Sequence, residues 1–399
     1  AWYSARMDTA EVQGRPTGTW VTRYHEEDPN FSGNDQDLDP TDVDPDGNLR
    51  LANDIFPDDL LTPGSRLMLF YKTRFLGGST WFTEPDTALE EFLELDVMPS
   101  SMSADSSFNC VLLVNKYYGA DLIQEALGNI LPGGSDNFDN TAWDRFDAGL
   151  PPTPGTATFG RPLETEWGAT VVQALGYKTI LWNAHHTFSL VKEEADVLIP
   201  WLTLTDFPYN NLYISGDEAA AFMTLQSGAH PSSRILLEDI AGVLWSCGTF
   251  REAGCPQGSP GDLSACIVID PVSGAQVADP LRSVDHMGQG NGCPEQRRFD
   301  VLVPNPDPAH GVAVPDEEYV SGSKIARFAS ITNDAQARGS LTYKTVVDGI
   351  AIHHRRDFGN CFSDAASPGA IEDRLNEVLT WFGYVGGVPA CSDPTVGLS

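Results

Sequence analysis

Basic residues are scarce. The 399-residue chain carries 24 Lys and Arg against 56 Asp and Glu, a formal net charge of −32. Such a surface repels phosphate backbones and anionic lipid, which excludes nucleic acid as a partner class. No apolar run approaches the roughly 18 residues that a membrane-spanning helix needs. There is no CxxC, no HExxH, no phosphate-binding P-loop and no dinucleotide fingerprint, so the common zinc, nucleotide and metalloprotease signatures are missing. G-x-S-x-G is missing too. What is present suits a folded chain: 41% hydrophobic residues, and 10% aromatics that include nine Trp. That supply excludes wholesale disorder and suffices for two or three cores.

The acidic residues run along the whole chain and read mainly as a solvated surface. One dense stretch is different. In NDQDLDPTDVDPDGN, residues 34–48, Asp42, Asp44 and Asp46 alternate ahead of Gly47. Alternate carboxylates converge on one hard cation and Gly permits the sharp turn, which is the logic of calcium loops. Asn48 and Asp54 are further candidate ligands. The twelfth position of an EF-hand loop would fall on Asn53, and no helical pattern flanks the stretch, so an isolated calcium-stabilised loop is expected instead. The remaining carboxylates are too many for a pair suited to glycoside hydrolysis to be picked out.

Seven Cys occur. Cys247, Cys255, Cys266 and Cys293 share a Gly/Pro-rich region, and Cys361 and Cys391 flank the last helical pattern. Without zinc spacing, six cysteines read as disulfides of an oxidising compartment, with connectivity left open. Cys110, inside the apolar run FNCVLLV, is expected to be a buried free thiol. The chain starts AWYSARMD, without Met, and stops at SDPTVGLS. Both ends read as cut from a longer exported precursor.

Residues 1–105 read as a β domain. TGTWVTRYHE, SRLMLFYKTRF, STWFTE and EFLELDVM are rich in alternating, β-branched and aromatic residues, punctuated by Gly, Pro, Asp and Asn. A β-sandwich of immunoglobulin or fibronectin-III type is expected. MPSSMSADSS then serves as a linker. From residue 106 to 399 strand and helix patterns alternate: CVLLVN, ADLIQEALGNIL, WDRFD, EWGATVVQALG, YKTILWNA, EEADVLIPWLTL, NNLYISG, DEAAAFMTLQ and SSRILLEDIAG. This alternation predicts a doubly wound parallel sheet with helices on both faces. About 247–333 is irregular, with ACIVID and FDVLV as strand candidates, and reads as an insertion or a β-rich lobe pinned by disulfides. KTVVDGIAIHH reads as edge strands. AIEDRLNEVLTWFGY closes the chain as a helix starting at Ser367-Pro368, with Ile371, Leu375, Val378, Leu379 and Phe382 on one face.

CVLLVNKYYG, GYKTILWNA, EEADVLIPWL, NNLYISGDE and RLNEVLTWFG together resemble the class I glutamine amidotransferase-like, flavodoxin-like domains of large secreted bacterial proteins that end in a sorting or FlgD-like domain. The resemblance covers roughly residues 108–245 and 340–385. It implies a flavodoxin-like fold, export, and a sorting domain following Ser399. Those amidotransferases place Cys at the strand-to-helix elbow with a later His and Glu; here the elbow holds Ser215, and no His-x-Glu pair follows.

The elbow Ser215-Gly216-Asp217 is the first candidate for chemistry, because such corners expose a side chain at the carboxyl edge of the sheet. Ser215 as nucleophile would need His185 or His186 as its base. The competing reading makes Ser215 and Asp217 caps of the next helix, and it is the expected one. His353, His354, Arg355 and Arg356 form a basic run that reads as a solvated strand end. An ion pair across a domain contact or an anion site is the sharper alternative. His25 beside Glu26, Glu27 and Asp28 reads as a surface His. Trp81 and Trp167 would serve a carbohydrate-binding surface if exposed. The combined expectation is a secreted, non-catalytic structural or adhesive protein, calcium-stabilised, associating with itself or with other extracellular proteins. A peptidase- or amidase-like hydrolase using Ser215 with His185 or His186 is the alternative.

Overall fold

The computed structural model describes residues 2–8, 11–12, 15–16, 20–24, 66–73, 82–84, 93–96, 110–116, 120–131, 143–148, 159, 169–184, 190–205, 209–225, 231–248, 268–279, 285–287, 299–320, 328–338, 341–356 and 368–384. The chain divides into two compact units: Ala1–Met98 with Thr153–Ala157, and Pro99–Pro152 with Thr158–Ser399.

The described residues of the first unit are β-strands. β1 (Trp2–Asp8), β4 (Trp20–Tyr24), β5 (Arg66–Thr73), β6 (Phe82–Glu84) and β7 (Leu93–Asp96) form one antiparallel sheet, with β1 between β4 and β5. β2 (Glu11–Val12) and β3 (Arg15–Pro16) pair separately. The β character agrees with the alternating sequence. Among the described residues there is one sheet and this short ladder, whereas a sandwich has two facing sheets.

The second unit is an α/β domain. Its parallel strands are β8 (Val111–Asn115), β9 (Trp143–Asp147), β10 (Thr179–Asn183), β11 (Asn211–Ser215) and β18 (Lys344–Asp348). They lie in the order β9-β8-β10-β11-β18, every neighbour pair parallel. β8, β10 and β11 are buried along their whole length. Residues of both alternations are therefore covered, which is why CVLLVN and KTILWN are continuous apolar runs. On one face Val111, Leu113, Leu181, Tyr213 and Val346 pack with α1 (Ala120–Ile130) and α6 (Pro368–Phe382). The five apolar residues expected on α6 are all buried there, and the helix starts at Pro368 as the Ser-Pro signal indicated.

α2 (Val171–Ala174) is a single turn, α3 (Lys192–Thr203) runs through Pro200, and α4 (Ala219–Leu225) follows the elbow. SSRILLEDIAG forms only one α turn, α5 (Pro231–Arg234). It then widens into a π-helix, Ile235–Ile240. The last carbonyls of any helix have no intrahelical donor, and here side chains from elsewhere take them. Asn333 Nδ2 and Tyr343 Oη donate to the Ile240 carbonyl at 2.7 and 3.0 Å, and Asn305 Nδ2 donates to that of Glu238 at 2.8 Å.

Three expectations differ from the structure. The described strands of 247–333 do not form a lobe of their own. β13 (Val268–Pro271), β14 (Asp285–Met287), β15 (Val301–Pro304), β16 (Val312–Val320) and β17 (Phe328–Asp334) extend the same sheet through β17, which pairs antiparallel with β18. β12 (Val243–Cys247) joins it through β15. KTVVDGIAIHH is not an edge pair either. β18 sits between β11 and β17, a 3₁₀ turn covers Ile352–His354, and only β19 (Arg355–Arg356) is peripheral. Cys110 is corrected as well: it is buried as expected but disulfide-bonded, as is Cys247.

The joint between the parallel strands and their extension is ionic. β16 carries register shifts at Pro315/Glu317 and Glu317/Glu318. In a regular strand consecutive side chains face opposite sides; the bulged register lets Asp316 and Glu317 both be buried. Arg374, in the apolar stripe of α6, donates to Asp348 from Nε at 3.1 Å and Nη2 at 2.7 Å. It also donates to Asp316 at 2.9 Å and to Ser330 Oγ at 2.7 Å. Arg355 grips Glu317 with both Nη atoms and reaches Asp348 at 2.9 Å. All five charged side chains have zero exposure. Burial would raise the Asp348 carboxyl, but Arg374 and Arg355 outweigh it and hold it below its ordinary value.

Arg374→Met should strand Asp348 and Asp316 in the core and cost about 3–5 kcal/mol in urea unfolding at neutral pH. A folded carboxyl held below its unfolded value of about 3.9 contributes stability above that pH and loses it as pH falls through the folded value. The gap between wild type and variant should therefore narrow in acid, as Asp348 takes up a proton.

Candidate functional site

The carboxyl ends of the parallel strands form a polar row. Asn115 pairs in register with Asn183, Asn183 with Ser215, and Ser215 with Asp348. In open parallel sheets this edge is where ligands bind, above all where successive connections leave in opposite directions. That reversal falls between β8 and β10. There Asn183 Nδ2 donates to Asn115 Oδ1 at 2.8 Å. The next residue, Lys116, donates its backbone N–H to Asn183 at 3.1 Å. Its ammonium lies 2.6 Å from Glu194 Oε1 and donates to Oε2 at 2.7 Å, both side chains buried. Glu194 stands on the first turn of α3 and also accepts the Val191 N–H at 3.0 Å.

At the elbow, β11 ends on Ser215 and turns through Gly216. A Cβ at Gly216 would sit 2.1 Å from the Ala184 carbonyl oxygen. Only glycine lets the corner come this close to the end of β10. The Ser215 hydroxyl is 1% exposed. It accepts the Ile352 N–H at 2.6 Å and donates to the Ile350 carbonyl at 3.1 Å. Asp217, fully buried, accepts the Ala351 N–H on Oδ1 at 2.8 Å. Its Oδ2 lies 2.9 Å from His354 Nδ1. The His353 ring is tilted against that of His354, with centroids 4.2 Å apart. The elbow thus grips the turn that follows β18.

The expectation that Ser215 and Asp217 cap the following helix is corrected. The α4 N–H groups of Ala220 and Ala221 are taken by Asp300, at 2.7 and 3.2 Å. Asp300 comes from just before β15, and its backbone N–H donates to Gly349 at 2.7 Å. Burial raises its carboxyl well above the ordinary value, against the opposing effect of those two N–H groups. The basic run is corrected too: His353 and Arg355 are buried, and Arg355 is an internal ion-pair partner rather than a solvated strand end.

His185 and His186 lie outside the described residues, as do Asp42, Asp44, Asp46, Asn48 and Asp54, His25 and its acidic neighbours, and Trp81 and Trp167. Among the described residues no group of three or more His, Cys, Asp or Glu side chains is arranged to hold a metal ion. The sequence reading missed Lys116, Glu194 and Asp300. Lys116 carried a faint signal: a cation directly after a fully apolar strand in a base-poor chain. Glu194 and Asp300 were lost among 56 acids.

The Ser215 bonds set a stability test. Ser215→Ala leaves the buried Ile352 N–H without its acceptor and should cost about 1–3 kcal/mol in thermal or urea unfolding. Gly216→Ala should do more damage, because the 2.1 Å approach to backbone cannot be relieved by turning a side chain.

No protein-family model matches the chain, and no curated protein matches it.

Proposed function

We propose that this chain is a secreted, non-catalytic structural or adhesive protein: a subunit or module of a surface, matrix or filament assembly. One observation carries the reading. The hydroxyl at the position where a nucleophile would stand is dry and bonded on both sides by the turn after β18, donating to Ile350 and accepting from Ile352. A nucleophile needs a free lone pair facing substrate and a base within reach of its proton; here the proton already rests on a backbone carbonyl. The elbow acts as a joint between strands.

The parallel strands, in order of appearance, are arranged 2-1-3-4-5, which is the flavodoxin-like order. That supports the likeness to secreted amidotransferase-like domains, with an immunoglobulin- or fibronectin-like unit ahead of it and a disulfide-stapled region beyond β12. Disulfide-bonded Cys110 and Cys247 support an extracellular or cell-surface setting. Calcium bound by Asp42, Asp44, Asp46, Asn48 and Asp54 would neutralise the densest acidic stretch. The partners are further copies of the chain or other extracellular proteins.

Light scattering behind size exclusion, in calcium and then in chelator, tests assembly. Large particles in calcium that dissociate in chelator are the expected result, and a monomer in both conditions overturns the assembly reading. A fluorophosphonate probe tests the elbow. Oxidised, calcium-replete protein should remain unlabelled, whereas labelling abolished by Ser215→Ala would establish the hydrolase instead.

A further inference from the structure

Lys116 and Glu194 are 78 residues apart in sequence and meet in the interior. Lys116 begins the segment that leaves β8. Glu194 opens the helix that follows β10. These exits diverge at the reversal point of the sheet, so the contact ties together two segments that the topology sends apart. Neither side chain reaches water: their exposures are 2% and 0%. The Lys116 ammonium also lies 5.7 Å from the centre of the Trp182 ring, which leaves it little room for hydration.

We propose that Lys116 and Glu194 form a proton-sensitive latch across this reversal point, firm in mild acid and loosened as the pH rises through neutrality. This rests on the packing of the pair and is independent of the proposed function.

The direction follows from comparing the latched state with one in which the segments part and both side chains are hydrated. In the latched state burial is the dominant influence on Glu194. It raises the carboxyl to about 7 from an ordinary 4.5, against the pull of Lys116 and the Val191 N–H. Once hydrated, the group returns to its ordinary value. Between about pH 4.5 and 7 the latched state therefore holds a proton that the parted state lacks. Acid favours the latch, and the advantage is lost as pH rises through about 7. Lys116 works the other way at higher pH. Burial lowers its value from 10.5 despite Glu194, so the latched state sheds its proton first and alkali favours closing again. The latch is weakest between the titration of Glu194 and that of Lys116.

The surroundings add little to this balance. Glu193, on the same helix turn, raises both groups slightly. β8 and β10 contribute the neutral Asn115, Asn183 and Trp182, and α2 is the neutral VVQA. α5 and the π-helix, which pack on α3, carry Arg234, Glu238 and Asp239. Arg234 is paired with Glu238 at 2.8 Å.

Amide hydrogen exchange of residues 116 and 192–195, corrected for intrinsic rates and followed from pH 5 to 8, tests the latch. In the wild type, protection should fall at least about tenfold over that range, since a state that holds one extra proton loses up to a factor of ten in population for each tenfold drop in proton activity. In Glu194→Gln, which keeps an acceptor for Lys116 but cannot titrate, protection should stay flat. Parallel profiles in the two proteins overturn the proposal. If Glu194→Gln does not fold, the wild-type Glu194 carboxyl can be titrated by carbon-13 NMR. A midpoint near 7 supports the latch, and one near 4.5 overturns it.

Discussion

The second unit depends on a buried ionic joint. Asp316, Glu317 and Asp348 converge on Arg355 and Arg374, all without exposure. The carboxylates outnumber the guanidiniums, so the balance must be made up by dipoles. Asp316 accepts the backbone N–H groups of Gln276, Val277 and Ala278, and Asp348 accepts the Tyr213 hydroxyl at 2.8 Å. A buried ion pair contributes little net stability over a well-packed apolar pair, but breaking one is costly. Its value here is geometric. It fixes α6 over β18 and fixes the bulged β16 in a single register, because any slip would leave a charge without a partner.

The same logic of placement governs the carboxyl edge of the sheet. The ends of β8, β10, β11 and β18 commit polar side chains to neighbouring segments: Asn183 to Asn115, Ser215 to the 350–352 turn, Asp348 to two arginines. Two glycines make this possible. Gly216 closes the elbow onto β10. Gly349, where a Cβ would lie 2.3 Å from the Asp300 carbonyl oxygen, lets β18 turn beneath the segment entering β15. Among the described residues, these bonds fasten the carboxyl edge of the sheet to the segments beside it.

Much of this fold was legible because local and tertiary preferences agreed. The apolar runs of β8, β10 and β11 and the periodic faces of α1 and α6 carry their own signals. β16 and β17 did not, for physical reasons. VAVPDEEYV contains a proline and three consecutive acids, which argue against a central strand unless a bulge and buried arginines are known in advance. FASITND is too polar to look internal, yet its Ser330, Thr332 and Asn333 are all buried. Ser330 accepts from Arg374, and Asn333 ties down Ile240 and His310. At the elbow the sequence located the corner correctly. It could not show that the bonding partners of Ser215 lie about 135 residues away, and that distance decides whether the hydroxyl is free.

Chain order gives the ionic joint a temporal consequence. The acids at 316, 317 and 348 all precede the arginines at 355 and 374. A chain emerging from its amino end therefore presents the three carboxylates before either countercharge exists. Arg355 then offers a partner to Glu317 and Asp348, but until α6 brings Arg374, Asp316 has no guanidinium, and the seam between the parallel strands and their antiparallel extension is incomplete. The final helix is thus a keystone in time as well as in space, and the growing chain is kept soluble at the seam by the charges it will later bury.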